Sequence, residues 1–97
     1  MENMQELNMD AMAQAVGGVQ RTINTGIEGL NAAIRSGAGK TYRQIASLPN
    51  GTIVDTVSDK LVYDAESGRN FVEISYRDQN GKLRDGWVAA SIVGLPR

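Results

Sequence analysis

The segment Gly37-Ala38-Gly39-Lys40-Thr41 ends in Gly-Lys-Thr, as a phosphate-cradling loop does. Such a loop also needs an upstream glycine and a long helix behind it, so that amide groups can wrap the phosphates. That glycine is missing and no helical pattern follows, so the match carries no nucleotide chemistry. Ser36 and Thr41 bear hydroxyls, but the chain has no histidine to act as their base, so they make no nucleophile system. The absence of histidine and cysteine removes imidazole and thiolate metal sites and any disulfide framework. Asp59, Asp64 and Glu66 match the spacing of no calcium loop. No metal and no other cofactor is expected, and an enzyme is the poorest reading.

Recognition chemistry remains. Tyr42, Tyr63, Phe71 and Tyr76 are candidates, because an aromatic ring beside a polar rim suits peptide capture. Each also fits a core or half-buried place, and for Phe71 and Trp87 the core place is the expectation. Trp87 can pack its ring inward while its indole N–H bonds a carbonyl. Arg35 stands at the end of a strand candidate. Its guanidinium can lock loop carbonyls or meet a ligand, and the first role is the stronger expectation.

These residues must be positioned by very little protein. Ninety-seven residues allow one domain, and a chain of this size needs a compact core. Eleven glycines favour turns over long helices. Of the 11 acids, Glu2, Glu6 and Asp10 lie in residues 1–18 with no base beside them. The rest of the chain then sets 10 bases against 8 acids, interspersed. No clustered basic patch calls for nucleic acid, and no apolar run is long enough to span a membrane.

From Leu30 onward the pattern is β. Strand candidates are Leu30–Arg35, Tyr42–Leu48, Thr52–Val57, Lys60–Tyr63, Phe71–Arg77 and Leu83–Ala89. Pro49-Asn50-Gly51 reads as a sharp turn and Asp64 to Asn70 as a polar one. Asn80-Gly81 predicts a tight primed hairpin. Ala90–Val93 reads as a single helical or 3₁₀ turn. Val19 to Glu28 reads as a linker. Short strands with tight turns avoid open edges by closing into a small, strongly bent barrel. The predicted core is Leu30, Ile34, Ile45, Leu48, Ile53, Val57, Val72, Ile74, Trp87, Ile92 and Val93.

The run Leu30 to Tyr42, with its apolar–Arg–Ser–Gly–x–Gly segment and following tyrosine, resembles the opening motif of bacterial SH3-like domains. Ile45 to Thr52, Phe71-Val72-Glu73-Ile74 and Gly86 to Val93 match later pieces in the same order. The resemblance covers residues 29–95. It implies an all-β fold, a small SH3-like barrel of five to seven short strands over residues 29–97, preceded by a short helix. Leu30-Asn31 sits further from Arg35 than usual, and residues 56–70 are longer than the common connection, so an extra hairpin or loop is expected there. Such domains attach to cell-wall peptide or to another protein and rarely catalyse. The resemblance implies a shallow groove around the Arg35–Tyr42 segment and the hairpin.

Residues 1–18 resemble a second pattern. Leu7, Met12 and Ala15 precede Gly17-Gly18 at the spacing of double-glycine leaders of bacteriocin-type peptides. The resemblance implies cleavage after Gly18 by the peptidase domain of an ABC exporter. Alanines that propagate a short amphipathic helix, and glycines that stop it, suit a separable recognition segment. A helix that stays packed on the barrel is the alternative. The expected function is a non-catalytic exported module binding cell-wall peptide. A secreted protein-interaction domain or bacteriocin-like effector stands as the alternative.

Overall fold

The computed structural model describes residues 19–58 and 60–97. The leader residues Leu7, Met12, Ala15, Gly17 and Gly18, and Asp59, lie outside them. Seven strands alternate with turns: β1 (Val19–Thr22), β2 (Ala32–Arg35), β3 (Gln44–Leu48), β4 (Ile53–Thr56), β5 (Val62–Asp64), β6 (Arg69–Arg77) and β7 (Leu83–Ala89). A 3₁₀ turn over Ala90–Val93 follows. The described residues are mostly β, as the sequence predicts, and the short helix expected before them lies outside the described residues. The linker expected over residues 19–28 begins instead as β1, whose Val19 to Thr22 pair with Thr56 to Ile53. The residue after it, Ile23, is buried.

All pairings are antiparallel, in the order β1-β4-β6-β7-β2-β3. β6 is the axis of the sheet. One of its edges pairs with β7 from Phe71 to Arg77. The other serves β5 at Arg69 to Phe71 and β4 at Ile74 and Ser75, one after the other. The hairpin of β5 with β6 occupies the long 56–70 segment.

The closed barrel expected from the sequence is not formed, since β1 and β3 stand at the two ends of the sheet order. The sheet is nonetheless sharply curled. A flat sheet would hold β3 and β4 four strand spacings apart, about 19 Å. They are joined by a turn in which the Thr52 amide donates to the Pro49 carbonyl at 3.2 Å, and a β-turn keeps its ends within about 7 Å. Gly51, at φ 93°, takes the left-handed third place that such a turn reserves for glycine. Asn50 ties this corner to the preceding loop, accepting from the Thr25 amide at 2.8 Å and donating to the Ile27 carbonyl at 3.0 Å.

The concave side holds Ile23, Ala32, Ile34, Leu48, Val54, Val72, Ile74, Tyr76, Val88, Ala90 and Val93. Ile34 and Ile74 are fully buried, as expected. Leu30, Ile45 and Ile53, all predicted for the core, are exposed, and Val57 and Ile92 are half-buried. In β4 the inward set is Val54 and Thr56, not Ile53 and Val57. The strand is apolar on both faces, and such a strand does not declare its register. The Thr56 hydroxyl is accommodated inside by a bond to the Val19 carbonyl at 3.3 Å.

Trp87 is a second correction, being half-buried and on the convex face. Gly86 and Val88 point inward, so alternation turns Trp87 out. A Cβ at Gly86 would overlap Ile34 Cγ2, which is why the inward place at that point is a glycine. The hairpin turn also differs from the primed two-residue form. Asp78 N–H donates to the Lys82 carbonyl at 3.0 Å and Gly81 N–H to the Asp78 carbonyl at 2.9 Å, with Gly81 at φ 80°. That is a three-residue loop closed by a left-handed glycine. The Asp78 carboxylate, accepting from the Asn80 and Lys82 amides at 2.9 Å each, selects it.

Candidate functional site

The loop between β2 and β3 carries the Arg-Ser-Gly-x-Gly motif, and it is held by its own residues. Arg35 Nη1 donates to the Tyr42 carbonyl at 3.0 Å. The Ser36 amide donates to the Arg43 carbonyl at 2.9 Å, and the Tyr42 amide to the Gly39 carbonyl at 3.3 Å. The Tyr42 ring lies over Gly37 so closely that a Cβ there would stand 2.5 Å from its Cδ1. Gly37 is buried by that ring, while Tyr42 itself remains 51% exposed. Arg35 thus positions the loop through one of its terminal nitrogens.

Asp64, on β5, holds the tip of this loop. Its carboxylate accepts from the Lys40 amide at 3.1 Å, from the Ser67 hydroxyl at 2.7 Å and amide at 3.2 Å, and from the Glu66 amide at 3.3 Å. The Ser67 hydroxyl holds its pKa below the ordinary carboxylate value; desolvation opposes this, and the Lys40, Glu66 and Ser67 amides add to the lowering. A Cβ on Gly39 would come within 3.0 Å of Asp64 Oδ1, so glycine lets the loop approach. The bond from the Lys40 amide to Asp64 ties two chain segments together. Tyr42 and Lys40 come from the loop, and Tyr63, 65% exposed, comes from β5 beside Asp64. Sequence reasoning singled out both tyrosines but not Asp64, which it weighed only as a metal ligand. Among the described residues no group of acids is arranged to hold a metal.

The other aromatic candidates lie elsewhere. Phe71 is 4% exposed, facing Ala89 and Val62 across the ladder, and is packing rather than ligand surface. Tyr76 is buried too, but it is among the residues lining a groove of about 1020 Å³. This groove does not touch the Arg35–Tyr42 loop. It runs between residues 45–49 on one wall and residues 76–80 with Arg84 on the other. Its rim bears an ion pair, Arg84 Nε to Asp78 Oδ2 at 2.9 Å. That bond, with the Lys82 amide, lowers the Asp78 pKa. No helix among the described residues is long and apolar enough to cross a membrane.

Comparison with family models, with curated proteins and with solved structures returns no match for this chain.

Proposed function

We propose that this chain is a non-catalytic binding module with an SH3-like barrel fold, and that it captures cell-wall peptide on the Tyr42–Lys40–Tyr63 surface. The observation that carries the reading is the Asp64 carboxylate, which fastens the loop bearing one exposed tyrosine to the strand bearing the other. Two exposed rings on a cross-tied frame lose little entropy when they close on a ligand. The Lys40 ammonium, on the same loop as Tyr42, complements the free carboxylates of a cell-wall peptide. The curled antiparallel sheet and the motif order support an SH3-like fold whose barrel is left open between β1 and β3.

Co-sedimentation of the full chain with purified peptidoglycan tests the reading. Retention is expected, and Tyr42→Ala with Tyr63→Ala should release the protein. A chain that stays in the supernatant at every salt concentration would refute it.

A second reading is a secreted protein-interaction domain or bacteriocin-like effector. Val62 and Tyr63, exposed side by side on β5, are the observation that favours it. Retention by a protein partner, without retention by peptidoglycan, would select it.

The same reading makes residues 1–18 a double-glycine export leader. Leu7, Met12 and Ala15 would face a peptidase-containing ABC exporter, and the mature protein would be secreted or held at the cell surface. Mass spectrometry of the medium should find a chain beginning at Val19. Intact protein confined to the cell would contradict it.

A further inference from the structure

The chain carries two Asn-Gly pairs, Asn50-Gly51 and Asn80-Gly81, and both stand exposed at turns. Asparagine before glycine is prone to an intramolecular reaction. Glycine has no Cβ to hinder the approach of its nitrogen to the side-chain carbonyl carbon of the residue before it. Both glycines have positive φ, 93° at Gly51 and 80° at Gly81. Neither sequence nor exposure separates the two pairs. Their hydrogen bonds do.

The Asn50 side chain is held at both of its polar atoms. Its Oδ1 accepts from the Thr25 amide at 2.8 Å and its Nδ2 donates to the Ile27 carbonyl at 3.0 Å. The Gly51 amide donates to the carbonyl of Ile23, a buried residue, at 2.9 Å. Asn50 cannot turn toward the Gly51 nitrogen without breaking both side-chain bonds. At Asn80 the main chain alone is engaged, its amide donating to Asp78 Oδ1 at 2.9 Å. Among the described residues the Asn80 side chain has no hydrogen-bond partner. The Gly81 amide makes one bond inside the hairpin loop, to the Asp78 carbonyl at 2.9 Å, and the β6–β7 ladder stops short of it at Arg77 and Leu83.

We propose that Asn80 is a site of spontaneous deamidation, and that Asn50 is protected from the same reaction by its two side-chain bonds. The Gly81 nitrogen gives its proton to hydroxide and attacks Asn80 Cγ. The new N–Cγ bond closes a succinimide ring, the Cγ–Nδ2 bond breaks, and Nδ2 leaves as ammonia with a proton from solvent. Water then opens the ring at either carbonyl, giving aspartate or isoaspartate. Asn80 lines the groove together with Asp78 and Arg84, so the product adds a carboxylate to that rim. This chemistry does not depend on what the Tyr42–Lys40–Tyr63 surface binds.

The test ages the full chain at mildly alkaline pH, folded and in strong urea, and maps peptides by mass spectrometry with a fragmentation that tells isoaspartate from aspartate. In the folded chain Asn80 should convert at least about tenfold faster than Asn50, because two further hydrogen bonds must open at Asn50. In urea the two should convert at similar rates. Asn80→Ser should remove the early mass gain of the folded chain, and Asn80→Asp supplies the reference spectrum of the ordinary product. Equal rates at the two sites in the folded chain, Asn50 converting first, or an early mass gain that survives in Asn80→Ser would overturn the proposal. So would an Asn80 that stays intact in the folded chain after its counterpart in urea is exhausted. A difference that persists unchanged in urea would also overturn it, since the cause would then lie in the neighbouring residues and not in the fold.

Discussion

The Asp64 carboxylate bonds the Lys40 amide at 3.1 Å across 24 residues of sequence. That contact ties the glycine-rich loop to the β5–β6 hairpin. The contact depends on the charge of Asp64, and this gives it a pH signature. Its folded-state pKa lies below the unfolded value of about 3.9. The stabilisation is therefore complete above the unfolded value and is lost as pH falls through the folded one. Thermal unfolding should show a flat stability plateau above about pH 5 and a decline below it. Asp64→Asn should flatten that acid limb and speed hydrogen exchange at Lys40. An unchanged acid limb would contradict the tie.

Asp78 behaves alike in sign but not in salt response. Its pKa is lowered first by the Arg84 guanidinium and then by the Lys82 amide. The ion pair is exposed, so high salt should weaken its part of the acid limb, while the amide-held part persists. Chemical-shift titration of Asp78 at low and high salt measures this. A folded pKa that does not move upward with salt would count against the ion pair's share.

Gly37→Ala is expected to destabilise by about 1–3 kcal/mol, the usual cost of forcing a group into a filled space. The inserted Cβ would meet the Tyr42 ring 2.5 Å away. The double variant Gly37→Ala with Tyr42→Ala should recover much of the loss, because the ring is the obstacle. Denaturant melts of the two variants decide it, and absence of recovery would mean that backbone geometry, not the ring, requires glycine.

Ile34→Ala should cost about 2–5 kcal/mol, as for any fully buried aliphatic truncated in a packed core. Ile53→Ala, at a site 53% exposed, should stay within about 0.5 kcal/mol of the parent. Within β4, Val54→Ala, at a site 2% exposed, should cost more than Ile53→Ala, and that contrast tests the strand's register, since a one-residue slip would reverse the two faces.

Much of this architecture is legible in residue order. Alternation in β6 and the breaks at Gly51 and Gly81 mark strands and turns where they occur. The Arg-Ser-Gly-x-Gly-Lys-Thr-Tyr run marks a self-bonded loop, with Arg35 as its lock. Register in β4 is not legible, because Ile53, Val54 and Val57 offer an apolar residue to either face. Nor is the outward turn of Trp87, which follows from Gly86 lying against Ile34. A large aromatic reads as core until the small residue that takes its inward place is known. The role of Asp64 is hidden for another reason. Its partners Lys40 and Ser67 are amides and a hydroxyl, which no charge or spacing pattern announces. The groove at β3 is hidden because it arises from the curl that brings the Pro49–Thr52 corner opposite the β6–β7 hairpin.

The most direct measurement is an amide-resolved NMR titration of the full chain with a soluble muropeptide. Shifts are expected at residues 37–43 and 62–68, saturating together, and they should vanish in Tyr42→Ala with Tyr63→Ala. No shifts at saturating muropeptide, or shifts that survive in the double variant, would contradict the account.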